Sequence, residues 1–164
     1  MESQLQNRPV STGLLILRVG VGGFMLSHGW GKLQMLLAGD FEKFGDPIGL
    51  GKPLSLFLVV TAEFVCALLV ILGLATRVAA LFPVVGMGVA AFVAHGNDPW
   101  TMEGGYKLFM TGASKSWASK EPALLFLIPF LALIFTGAGR YSLDALIGPR
   151  WRERRARRMA AAPA

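Results

Sequence analysis

The stretch LLILRVGVGGFMLSHGWGKLQMLL, residues 14–37, decides the fold. It is about as long as the 20 apolar residues a helix needs to cross a bilayer of roughly 30 Å. Its apolar positions run continuously and do not alternate with period two, which excludes a barrel strand. Lipid satisfies no backbone amide, so the segment must be a helix. Three further runs of the same kind follow, at about 54–75, 78–94 and 122–138. The expected fold is all-α: a four-transmembrane-helix bundle comprising residues 1–148, with an Arg-rich tail over 149–164. Residues 1–13 lack the charged start and cleavage site of a secretory signal, so the first run is expected to stay as a helix.

Composition agrees. The chain is 54% hydrophobic with mean hydropathy +0.54, beyond a soluble domain's usual balance. A net charge of +6 might suggest nucleic acid, but six of the ten arginines sit at the C-terminus, from Arg150 to Arg158. A basic cluster just beyond a membrane helix reads as a topology signal and headgroup anchor. No nucleic-acid partner is expected. The lone Cys66 lies inside the second run and forms no intrachain disulfide.

The chain is divided by Gly39 to Pro53, by the tight turn Gly73 to Arg77, and by the longer polar stretch His95 to Glu121. The last of these leaves room for a short helix around Tyr106 to Met110. Ser11 or Thr12 is expected to cap the first helix. Four spans put both termini on one side. The arginines make that side cytoplasmic, with the loops Gly39–Pro53 and Gly96–Glu121 facing outward. Gly20, Gly22, Gly23, Gly29 and Gly31 predict tight packing around the first helix. Pro83 and Pro129 fall inside the third and fourth spans, where each removes a backbone hydrogen bond.

Ionisable groups inside such segments are costly and face a protein interior or a watery cavity. Here they are Arg18, His28, Lys32, Glu63, His95 and Glu121. His28 and Lys32, four apart, share a helix face. With His95 and Glu121 they are expected to converge near the outer surface, Glu63 below them and Arg18 deeper, forming a polar line. Arg18 and Glu63 are the expected buried pair, whose rupture would cost about 3–5 kcal/mol. A purely structural role suffices for that pair, whereas a histidine can also donate to a quinone carbonyl. Haem ligation by His28 and His95 is geometrically conceivable but disfavoured, with only two histidines and His95 near the interface. No metal site is expected.

In order along the chain, Arg18 within LLILRVG, HGWGK at 28–32, Ala62-Glu63, GLATR at 73–77, His95 and GAGRYSLD at 137–144 together resemble the DoxX family of small four-helix membrane proteins. The resemblance implies a bacterial-type cytoplasmic (inner) membrane location. Relatives in that family include a subunit of a thiosulfate:quinone oxidoreductase. Arg18, His28, Glu63, Arg77, His95 and Arg140 match the family's polar positions. The stretch 96–120 is longer than usual and the Arg-rich tail is extra.

Three functions are then open. The first is a quinone-associated subunit of a membrane redox complex, His28 and His95 holding the quinone while Glu63 and Glu121 pass protons. The second is a non-catalytic anchor for a soluble redox partner, bound through the tail or the loop 96–120. The third is a small-solute transporter, for which a homo-oligomer would compensate for the missing internal repeat.

Overall fold

Helix α1 runs from Glu2 to Ala38, 37 residues, or about 55 Å. The computed structural model describes residues 2–148, so the Arg-rich tail expected at 149–164 lies outside the described residues. Helix α2 spans Lys52–Leu72 and α3 spans Thr76–Ala94. Helix α4 is Met102–Met110, and α5 is Glu121–Thr136. Among the described residues all regular structure is helical. The portion of α1 from Arg8 to Ala38, together with α2 and α3, is long and apolar enough to cross a membrane. At 16 residues, or about 24 Å, α5 is apolar but shorter.

Helix α1 packs along α2, and α3 packs along α5, with α2 and α3 joining the two pairs. The seam between α1 and α5 is thinner. The core is built from small and flexible side chains, including Met25, Ala67, Val70, Ala80, Met87, Ala91, Phe130 and Leu133. Small residues let backbones approach where lipid offers little drive for apolar association. Ile16, Phe24, Val85, Leu125, Ile128 and Phe135 lie on the exposed faces, as a lipid-facing surface requires.

Several local expectations need correction. Helix α1 does not begin after Pro9 but continues through it. Ser11 is therefore not a cap: it is buried, and its hydroxyl accepts from the amide of Arg140 at 3.3 Å. The Thr12 hydroxyl bonds back to the Arg8 carbonyl. Of the five glycines in the first run, only Gly22 and Gly29 sit at close contacts. A Cβ on Gly29 would meet the Glu63 backbone at 2.8 Å, and one on Gly22 would meet Ile71 at 2.6 Å. Gly20, Gly23 and Gly31 face open space.

The turn between α2 and α3 is as tight as its length suggests, with Gly73 (φ 68°) and Ala75 (φ 48°) left-handed. The short helix expected around Tyr106 forms from Met102, and the Thr101 hydroxyl caps it by accepting from Gly104 N.

One feature has no sequence signature. Both α2 and α3 widen into a π-helical turn, at Thr61–Cys66 and at Ala90–Ala94. Such turns insert an extra residue and often accompany functional sites. Both lie on the cavity described next.

Candidate functional site

On α1 the spacing of Met25, His28 and Lys32 places all three on one face. That face looks into a cavity of about 290 Å³ at the end of the bundle where α3 terminates. The π-helical turn of α2 supplies Glu63, that of α3 supplies Ala90, and His95 follows directly at the end of α3. Ala123 and Phe126 of α5 form the opposite wall, and Trp117 to Ser119 close the mouth.

This closing segment is held by several contacts. The Trp117 indole donates to the Met102 carbonyl at 3.0 Å, and Lys120 N donates to the Pro99 carbonyl at 2.9 Å. The Lys120 ammonium lies 4.9 Å from the centre of the Trp100 ring, a cation–π distance. Gly105 packs so closely on the Ala118 carbonyl that a Cβ would collide with it.

Within the cavity, Lys32 Nζ donates to both carboxylate oxygens of Glu63. The Glu63 side chain is 5% exposed and that of Lys32 is 30% exposed. The pair therefore straddles the boundary between interior and mouth. His95 Nδ1 pairs with Asp98 Oδ2 at 2.7 Å, which fixes the ring and turns Nε2 toward other partners. The His28 ring meets Phe126 edge-on, with centroids 5.3 Å apart. Ser119 is buried, and its hydroxyl has no hydrogen-bond partner. Two other buried polar atoms, Arg18 Nε and Thr76 Oγ1, likewise have no partner, and both lie away from the cavity.

Of the six residues of the expected polar line, four line this cavity: His28, Lys32 and His95, expected to converge, and Glu63, expected below them. Glu121 lies beside it and is occupied elsewhere, accepting from Met102 N at 2.7 Å and so tying α4 to α5. Arg18 is remote and does not pair with Glu63. Its guanidinium donates to the carbonyls of Val70 and Ile71 at 3.2 Å and to that of Tyr141.

The reason is depth along α1: ten residues, about 15 Å, separate Arg18 from His28, and Lys32 reaches Glu63 first. The expected polar line is thus split into two clusters. Between them lies the core around Met25, Cys66, Ala67, Val70 and Phe130. Sequence reasoning missed Ser119, Met87, Met102 and Trp117. Met25 was findable, one turn before His28 on the same face. Among the described residues no cluster of three or more His, Cys, Asp or Glu could hold a metal ion.

The DoxX family model matches residues 13–96, which cover α1 to α3 and every helical polar group of the cavity. The chain belongs to the DoxX family. It is 30% identical over 139 residues to the inner membrane protein YqjF of Escherichia coli, covering 85% of this chain and 95% of the relative. It is 33% identical over 134 residues to an uncharacterised protein of Haemophilus influenzae, with 80% and 87% covered. No solved structure matches it. With its apolar helices, this DoxX protein is a multi-pass protein of the bacterial inner membrane.

The other end of this DoxX bundle is closed by the segment GAGRYSLD. Asp144 accepts from the amides of Ala75 at 2.7 Å and Thr76 at 2.9 Å, capping α3. Asp144 N returns a bond to the Gly73 carbonyl. The Ser142 hydroxyl accepts from Ala145 N at 3.2 Å, starting the helical residues 143–148. Arg77 donates to the Phe135 carbonyl at 3.2 Å, placing a cation at the negative end of α5.

Proposed function

We propose that this protein is a quinone-associated subunit of a membrane redox complex, with the 290 Å³ cavity seating the quinone head. One observation carries the reading: the hydrogen-bonding side chains of His28, Lys32, Glu63 and His95 converge on a mostly apolar cavity within a membrane bundle. The volume is at the lower end for small-molecule pockets, about 300–1,000 Å³, and suits a single ring. A quinone has two opposed carbonyl oxygens that need donors. His28, His95 and Ser119 supply them from three walls, with Lys32 beside them. When bound, a quinone would supply two-electron, two-proton chemistry. This chain's part is to hold and orient the ring, and Glu63, paired with Lys32, is placed to hold a proton near it. Glu121 has no part here, since its carboxylate anchors α4.

The test is mass spectrometry of an organic extract of the purified protein, quantified per chain. A quinone present in near-stoichiometric amount and lost in His28→Ala and His95→Ala supports the reading. Ordinary lipid alone would overturn it.

A second reading, a non-catalytic anchor for a redox partner, draws support from the exposed Met102, Tyr106, Phe109 and Met110 of α4. Capture of one partner protein that is lost when these side chains are made polar would favour it. The solute pathway loses its support with the division of the polar line.

A further inference from the structure

A groove of about 520 Å³ runs between α2 and α3 on the lipid-facing side of the bundle. Its walls are apolar: Leu58 and Val59 on α2, Val78, Phe82 and Val85 on α3. The segment 44–48, through Phe44, Pro47 and Ile48, roofs it. The one ionisable side chain in its lining is Glu63.

Toward the His95 end the groove passes into a second, more polar pocket of about 560 Å³ that contains Lys32, Asp46 and His95. The two share Phe44, Pro47, Val59, Glu63, Gly86 and Val89, so they adjoin along that wall. Gly86 lines both at their junction, the neck, where an added Cβ would make ordinary contact with Ala62 Cβ at 3.7 Å. The polar pocket in turn shares Lys32, Glu63, Ala90 and His95 with the cavity of the proposed quinone head. The ion pair is thus reached from the lipid side as well as from the cavity.

We infer that the α2–α3 groove holds the hydrocarbon tail of a lipid-soluble carrier whose polar head lies against Lys32, Glu63 and His95, and that the carrier enters sideways from the membrane under residues 44–48. The inference rests on the headgroup reading above and adds the route and the tail site. A tail in the groove buries apolar surface against Phe82 and Val85, while the head meets a cation, a carboxylate and an imidazole at the groove's inner end. A simple annular lipid would use the apolar wall and have no need of the neck at Gly86. A second apolar groove, between α1 and α5, also adjoins the cavity, through Met102, Pro122 and Phe126. Its lining carries no ionisable group, so it offers a head no charged partner of its own.

The experiment measures binding of two probes to the full-length protein in nanodiscs: a benzoquinone bearing a decyl tail and the same ring without the tail. Gly86→Leu narrows the neck. Val85→Trp fills the groove from its exposed rim and leaves the core untouched. Gly20→Leu, which faces open space in the α1–α5 groove, is the control.

The expected result is that Gly86→Leu and Val85→Trp each weaken the tailed probe by about tenfold or more, from lost methylene burial. The tail-less ring should be unaffected, and Gly20→Leu should change neither probe. Should Gly86→Leu fail to fold, Val85→Trp alone decides. Loss of tailed-probe affinity in Gly20→Leu only would place the tail between α1 and α5 and overturn the inference. So would unchanged affinity in all three variants. Failure of the wild-type protein to bind even the tail-less ring would overturn the headgroup reading itself, a different and separable result.

Discussion

Lys32 and Glu63 meet across the seam between α1 and α2, one helical turn beyond the point where Gly29 touches the Glu63 backbone. The close backbone approach is what brings the two side chains within reach, and the near-complete burial of the carboxylate makes the pairing energetically asymmetric. Replacing Lys32 by Met strands a buried anion, whereas replacing Glu63 by Gln leaves a lysine that can still turn toward solvent. Lys32→Met should cost about 2–4 kcal/mol, somewhat below the full cost of breaking a buried pair because Lys32 is partly exposed. Glu63→Gln should cost less, and the double variant should recover part of the loss. Thermal unfolding in detergent checks the order; equal losses in both single variants would contradict it.

The two tightly packed glycines of α1 should respond differently to alanine. At Gly29 the obstacle is the Glu63 backbone, which cannot step aside. Gly29→Ala should therefore destabilise by about 1–3 kcal/mol, as overpacking does, and should disturb the ion pair. At Gly22 the nearest obstacle is Ile71 Cγ1, with the Ala67 carbonyl further off at 3.3 Å; a side chain gives way more readily than backbone, so Gly22→Ala should be milder. Gly23→Ala meets nothing and should be neutral or slightly stabilising. Melting temperatures of the three variants test this ranking.

At the opposite end, Arg18 bonds three carbonyls from two separate segments. A lysine offers one point charge in place of a planar fork. Arg18→Lys should thus lose about 2 kcal/mol or more, since each hydrogen bond to a charged group contributes roughly 1.5–3 kcal/mol. Asp144→Ala should remove the α3 cap at a cost of about 1 kcal/mol. It should also loosen the turn before Arg77. Limited trypsin digestion reads this directly: cleavage after Arg77 should accelerate in Asp144→Ala and stay slow in a variant of an exposed α4 residue such as Lys107→Gln.

The loop 44–51 should be sensitive to acid. The Ser55 hydroxyl, followed by the amides of Gly51, Leu50 and Gly49, holds the Asp46 carboxyl below its usual range. A carboxylate depressed in the folded state contributes its full stabilisation above its ordinary pKa. That contribution fades as pH falls through the lower, folded value. Protection of the Leu50 and Gly51 amides against hydrogen exchange should therefore be constant at neutral pH and decline only in strong acid. Asp46→Asn should reduce it at neutral pH and remove its acid dependence, the difference from wild type vanishing in strong acid.

Much of this architecture was legible in the residues. Long apolar runs place α2, α3 and the C-terminal end of α1 within a few residues, because continuous hydropathy and length decide a membrane helix together, while the polar start of α1 from Glu2 gives no such signal. The gathering of His28, Lys32 and His95 followed from helical spacing and depth, whereas Glu63 was expected below them and Glu121 beside them. What depth does not provide is rotation about each helix axis. Arg18 and Glu63 were expected to pair across a difference in depth that proves too large, since Arg18 lies level with Val70 and Ile71. Lys32 reaches Glu63 instead, through an inter-helix contact that Gly29 permits. The π-helical turns at Thr61–Cys66 and Ala90–Ala94 leave no mark in hydropathy, yet they set the rotation of Glu63 and His95. Ser119 was out of reach, since a single serine in a polar loop carries no signal until the loop is seen folded over the cavity.

The Arg18 contacts also impose an order of events on biogenesis. This arginine leaves the ribosome before α2 does, yet its acceptors are Val70, Ile71 and Tyr141. Until α2 is inserted it has no carbonyl partner from another helix, and until the residues after α5 have been translated its last acceptor does not exist. A nascent chain arrested before Tyr141 therefore carries an incompletely satisfied guanidinium, which is costly within lipid. A truncated product is marked by its own first helix as unfinished, and the bundle closes only when its final segment arrives.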